Sequence, residues 1–152
     1  GHPNRIVSEA IEAGRVAPLK GYETLRREVK YGQNSRIEIL LEDPRKGRCY
    51  VEIKNVHFMR DKGLAEFPDS VTSRGAKHLG ELADMVGEGH RAVMLFLVQR
   101  ADATRLTLAR DIDPVYGEAF DMAHAAGVEA LAYRCAVTPE GIALERKIAV
   151  HP

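Results

Sequence analysis

The chain has 152 residues, 45% of them apolar, and its 22 basic side chains balance 22 acidic ones. That length and apolar fraction suit one compact domain with its own core, and the balanced charge excludes a protein that coats a polyanion with its whole surface. No run of about 18 apolar residues spans a bilayer, and the start lacks a signal peptide's charged and apolar regions, so the chain reads as soluble and intracellular.

Asn4 can cap a first helix, Ile6, Val7, Ala10 and Ile11 form its apolar stripe, and Gly14 ends it. Glu9 stands at the edge of that stripe, either as an exposed carboxylate or leaning over the sheet. Leu25 to Tyr31 reads as a strand, and Gly32-Gln33-Asn34-Ser35 turns into a second one, Ser35 to Leu41. Glu42 to Arg48 carries the Pro, Gly and charge of a hairpin loop, and Cys49 to Val56 is the third strand. The chain then passes through Arg60-Asp61-Lys62-Gly63 to Phe67-Pro68-Asp69, where Asp69 or Ser70 caps a long helix that ends at Gly87.

Leu79, Leu82, Ala83 and Val86 form the buried face of that helix. Arg74, Lys77, His78 and Glu81 recur at i, i+3, i+4 and i+7 on another face, which is either the wet side of an amphipathic helix or a surface for phosphates. Ala92 to Val98 is apolar without alternation, as expected of a central strand covered on both sides. Gln99 and Arg100 follow at its carboxyl end, the edge where open α/β sheets place their sites. After a loop through Asp111-Ile112-Asp113, Pro114 opens a third helix ending near Gly127, and two strands, Val128 to Val137 and Ile142 to Val150, close the chain.

Glu52 and Lys54 matter most for function. Side chains alternate along a strand, so these two share a face, roughly 6.5–7 Å apart, while Val51 and Ile53 point into the opposite layer. A hairpin loop symmetric about Arg45 sets Glu38 opposite Glu52, with Cβ atoms about 4.5–5.5 Å apart, where like charges destabilise the pair unless something neutralises them. A divalent cation does that; screening by Arg36 or Lys54 on an ordinary wet hairpin face is the bland alternative. A one-residue slip would send Glu38 to the other face.

Lys20 to Lys62 holds eleven Lys/Arg against seven Asp/Glu, so the hairpin region is where a phosphate backbone is attracted. Cys49 and Cys135 sit in apolar runs without a Cys-x-x-Cys pair and read as buried thiols. There is no Walker loop, Gly-x-Gly-x-x-Gly, Gly-x-Ser-x-Gly or His-Glu-x-x-His, and the six histidines show no ligand spacing. P-loop hydrolysis and zinc chemistry drop out.

A helix, a three-stranded meander carrying an acidic residue and then Glu-x-Lys, a helix and a buried strand together resemble the core of the restriction-endonuclease-like nucleases. The resemblance implies an α/β fold of PD-(D/E)xK type, a mixed central sheet flanked by helices. Longer stretches are more specific: Pro3-Asn4-Arg5-Ile6-Val7, Arg27-Glu28-Val29-Lys30-Tyr31-Gly32, Ser35-Arg36-Ile37-Glu38, Tyr50-Val51-Glu52-Ile53-Lys54-Asn55-Val56, Phe67-Pro68-Asp69, Gly89-His90-Arg91-Ala92-Val93 and Ala132-Tyr133-Arg134-Cys135. Together they look like the carboxyl-terminal domain of the sugar fermentation stimulation protein A family, over nearly the whole chain.

That resemblance implies a prokaryotic cytoplasmic DNA-binding protein linked to regulation of sugar metabolism. Matched residue by residue, Glu38, Glu52 and Lys54 take the catalytic positions, and Glu9 fits the first-helix carboxylate. Mg²⁺ or Mn²⁺ is expected at Glu38, Glu52 and Glu9, a hard oxygen site suited to phosphodiester hydrolysis, with Lys54 orienting water or stabilising negative charge. Gln99 supports the site, and Arg36, Arg74, Lys77 and His78 hold DNA phosphates. Two departures stand out: the family usually has aspartate where Glu38 stands, and its amino-terminal OB-like domain has no counterpart among these residues. The expectation is a Mg²⁺-dependent endonuclease or phosphodiesterase; the alternatives are a non-catalytic DNA-binding transcriptional regulator with a vestigial nuclease site, and an interaction domain. Nucleases that cut both strands are often dimers, which leaves a homodimer open.

Overall fold

The computed structural model describes residues 2–152. Its centre is β6 (Arg91–Val98), where every residue from Ala92 to Val98 is fully buried. That strand lies between β3 (Gly47–Val56) and β8 (Glu129–Thr138), parallel to both. Burial on both sides explains why its sequence lacks alternation. Outward from β3 come β2 (Ser35–Asp43) and β1 (Thr24–Tyr31), both antiparallel. On the other side β9 (Gly141–Val150) pairs antiparallel with β8, and β7 (Arg105–Leu108), β5 (Leu64–Phe67) and β4 (Phe58–Asp61) complete the sheet order β1-β2-β3-β6-β8-β9-β7-β5-β4.

The helices divide the core into two layers. α1 (His2–Glu12) packs Ile6, Val7, Ala10 and Ile11 against Ile39, Val51, Ile53, Val93, Leu95 and Leu97. On the opposite face, α2 (Ser73–Gly87) and α3 (Pro114–Ala125) cover Tyr50, Met94, Phe96 and Val98 with Leu79, Leu82, Tyr116 and Phe120. No helix among the described residues is long and apolar enough to cross a membrane. Cys49 and Cys135 are buried free thiols, as their apolar runs suggest.

The β2–β3 hairpin has the expected register: Ile39 faces Val51, Leu41 faces Cys49 and Asp43 faces Gly47, all symmetric about Arg45. Three short strands escape the sequence reading. β4 and β5 form a hairpin where a loop is expected, and β7 is another four-residue strand in a predicted loop. Four residues give too few alternations to register, and in β4 the charges of Arg60 and Asp61 resemble a turn. Arg60 bridges Glu66 and Asp111, each at 2.6 Å, which ties that hairpin to the loop before α3.

The cap of α2 is Thr72 rather than Asp69 or Ser70. Its side chain accepts from the Gly75 amide at 3.1 Å, and its own N–H donates to Asp113 Oδ2 at 2.9 Å. Asp113 Oδ1 accepts from the Tyr116 amide at 3.0 Å, so one buried carboxylate holds the starts of both α2 and α3. Gly75 then lies so close to α3 that a Cβ there would meet the Tyr116 ring at 2.9 Å and Thr72 Cγ2 at 2.8 Å. Because Tyr116 is fully buried, its ring cannot swing away. Gly75→Ala is therefore expected to cost about 1–3 kcal/mol, through overpacking, despite alanine's better helix propensity. Urea unfolding checks this; an unchanged midpoint would contradict the tight approach.

Candidate functional site

Beyond the Ile39–Val51 pair, β2 and β3 separate. The first part of β2 stays with β1, while β3 from Glu52 to Val56 stays with β6. Glu38 and Glu52 are the next facing positions in the register, at the opening of the wedge. Parting leaves the Ile53 N–H without a strand partner, and it donates to Glu38 Oε2 at 3.2 Å. A side chain thus replaces a ladder bond.

β2 also changes face here. Ile37 packs on the α2 side and Ile39 on the α1 side, although residues two apart on a regular strand share a face. On β1 the pairing skips the position opposite Glu38, where Glu28 has φ 54°, in the left-handed region that non-glycine residues rarely adopt. Simple alternation from Ser35 to Leu41, which the sequence suggests, fails at this kink.

The wedge opens into a cavity of about 370 Å³ lined by Asn4, Glu28, Asn34, Ser35, Arg36, Ile37, Glu38, Glu52, Arg74 and His78. Glu52 is 2% exposed, and its Oε2 has no hydrogen-bond partner. Burial and the neighbouring Glu38 carboxylate push its pKa well above the usual carboxylate range. His78 Nδ1 lies 3.6 Å from Glu52 Oε2 and 3.4 Å from Lys54 Nζ. Desolvation, then the positive charge of Lys54, lower the His78 pKa.

Glu38, Glu52, Lys54 and His78 thus come together, with Arg36 and Arg74 exposed at the cavity wall. Three expected members do not join them. Glu9 is 71% exposed and paired with Arg5 at 3.9 Å, because the stripe that buries α1 turns Glu9 outward; the α1 residue at the cavity is Asn4. Gln99 donates to Asn55 Oδ1 at 3.1 Å, and Asn55 alternates away from Lys54. Lys77 lines a neighbouring groove of about 1010 Å³ between the β1–β2 turn and α2. Sequence reasoning missed Glu28 and Asn34 as lining residues, since a skipped pair and a left-handed residue leave no periodic signature.

Ionised carboxylates accept only, and the pair formed by Glu38 and Glu52 suits a hard divalent cation. The unpartnered Glu52 oxygen fits that role. Among the described residues, no three His, Cys, Asp or Glu side chains are arranged to hold a metal ion, so the protein offers this pair rather than a full set of ligands.

Fold and site define a mixed α/β domain with two carboxylates, a lysine and a histidine gathered where its sheet splits. The family model described as the sugar fermentation stimulation protein RE domain matches residues 1–141. A sugar fermentation stimulation protein homolog from Rhodospirillum centenum is 62% identical over 147 residues, spanning 97% of this chain and 63% of that protein. Its counterpart in Rhizobium meliloti is 61% identical over 150 residues, spanning 99% and 63%. The structure of Pyrococcus furiosus SfsA in complex with Ca²⁺ matches with a TM-score of 0.89 and 27% identity, over 99% of this chain and 64% of that one. The chain belongs to the sugar fermentation stimulation protein family. It spans less than two thirds of the length of these relatives.

Glu52 gives the fold a pH dependence. Between the ordinary value of 4.5 and the raised one, the unfolded chain has released a proton that the folded chain keeps, so stability falls as pH rises. In metal-free buffer, the urea midpoint of the parent is expected to drop from about pH 5 to about pH 8, and Glu52→Gln to remove most of that drop and be the more stable chain at the upper end. Parallel profiles for the two proteins would show that Glu52 is not the group responsible.

Proposed function

We propose that this is a restriction-endonuclease-like DNA-binding domain whose cavity supports divalent-cation-dependent phosphodiester hydrolysis. One observation carries the reading: Glu52, nearly fully buried with an unpartnered oxygen, faces Glu38 in a wedge that no backbone ladder closes. A protein that needed only a sheet would gain by pairing these strands and removing the charges. Glu38 and Glu52 would hold Mg²⁺ or Mn²⁺ between them. Such a cation, when bound, polarises a phosphoryl oxygen and makes hydroxide available near neutral pH.

The chain's own residues supply the rest. Arg36 and Arg74 attract the phosphate backbone at the cavity wall, where the guanidinium fork suits phosphate oxygens. Lys54 places a positive charge beside Glu52, where negative charge develops during attack on phosphorus. The Pyrococcus furiosus relative was solved with Ca²⁺, an oxygen-seeking cation, which supports a carboxylate-held divalent ion here as well. Through DNA, the domain would serve the regulation of sugar use that the family name suggests.

A second reading, DNA binding without turnover, is favoured by the absence of a three-ligand cluster among the described residues. Calorimetric titration separates the two. The parent chain is expected to bind Mg²⁺ and Mn²⁺, with at least roughly 10-fold weaker binding in Glu38→Ala and Glu52→Gln. Nicking of supercoiled DNA in Mn²⁺ is expected to fall by roughly 100-fold or more in Glu52→Gln. Unchanged nicking by that variant would remove the hydrolytic assignment; DNA retention in gel shift, with no metal binding and no nicking, would establish the second reading.

A further inference from the structure

His78 sits differently from the basic members of its helical stripe. Arg74 and Lys77 reach outward and are exposed, whereas the His78 side chain is 17% exposed and turns toward the sheet. Its Nδ1 faces two groups on β3, Lys54 Nζ at 3.4 Å and Glu52 Oε2 at 3.6 Å. From α2, Arg74, Lys77 and Glu81 supply the surrounding charge.

An ammonium group can only donate, and a neutral imidazole has one nitrogen that donates and one that accepts. A hydrogen on Nδ1 would set two donors against each other at 3.4 Å. With the hydrogen on Nε2, the Nδ1 lone pair accepts from Lys54, while Glu52 at 3.6 Å lies beyond hydrogen-bond distance and does not compete. Lys54 has a flexible four-carbon stem, and among the described residues His78 is the hydrogen-bond partner of its ammonium group.

We propose that His78 is a positioning residue for Lys54: its Nδ1 accepts from the ammonium and holds it beside Glu52, facing the place where a phosphate enters between Arg36 and Arg74. The proposal rests on the hydrolytic reading of the cavity. It changes the role that helical spacing assigns to His78, from a phosphate contact to an internal acceptor.

Two measurements on the whole chain test it. Long-range ¹H–¹⁵N correlation spectra of labelled histidine are expected to show His78 protonated on Nε2 at neutral pH; a hydrogen on Nδ1, or an imidazolium, overturns the contact. In Mn²⁺-supported DNA cleavage, His78→Leu is expected to lower kcat by about 100-fold, the scale of a misplaced reacting group, with KM unchanged. His78→Asn, whose amide oxygen can stand in for Nδ1, is expected to recover most of that loss. Equal losses in both variants would overturn positioning. A parent chain that cuts no DNA would sink the hydrolytic reading and the catalytic purpose of the contact, and the tautomer would still decide the contact itself.

Discussion

The constraint on which the rest depends is the confinement of two carboxylates where β2 leaves β3. Two unit charges about 5 Å apart repel by about 3 kcal/mol at an effective dielectric of ~20, and desolvation adds to the cost of ionising the buried one. The chain meets this locally. Glu38 accepts the Ile53 amide, and burial beside the Glu38 carboxylate favours the neutral form of Glu52 despite the nearby charge of Lys54. What remains unmet is one buried oxygen on Glu52. The same place holds the kink of β2 between Ile37 and Ile39, the left-handed Glu28 opposite it, and the cavity these deviations leave.

Such a concentration of unfavourable features needs a rigid frame. β6 supplies it, with seven consecutive fully buried residues packed between parallel neighbours. Because β3 is held along its whole second half by β6, it cannot follow β2 as the latter swings away. The wedge is therefore fixed by the centre of the sheet rather than by its flexible edge. That arrangement suits the proposed site, whose geometry would have to survive the arrival of a highly charged ligand.

The sequence disclosed what depends on period and lost what depends on breaks in period. The buried run Ala92 to Val98, the alternation of Cys49 to Val56 and the hairpin's symmetry about Arg45 are regular signals, and the symmetry set Glu38 opposite Glu52. The short strands Phe58–Asp61, Leu64–Phe67 and Arg105–Leu108 are too brief to repeat anything. Glu9 failed because helical spacing places a residue at the edge of a stripe without fixing the helix's rotation, and the rotation that buries Ile6, Val7 and Ala10 exposes it. Gln99 failed because reaching the right end of a sheet does not fix the face: its amide turned to Asn55. His78 belongs to a stripe that the sequence treats as one surface, and tertiary packing divides it.

That division has an identifiable cause in the anchoring of α2. Asp113 fixes the Thr72 amide and the first turn of α3 at once, and Gly75, lacking a side chain, lets the helix press against the Tyr116 ring. Helical geometry sets His78 one turn after Gly75, on the same side, so the close approach at the glycine carries the imidazole inward to β3. A larger residue at position 75 would hold the helix off and move the ring away from Lys54. The cap, the glycine and the histidine therefore act as one device. The sheet provides two acidic side chains in a wedge, and this helix brings in the nitrogen that organises the lysine beside them.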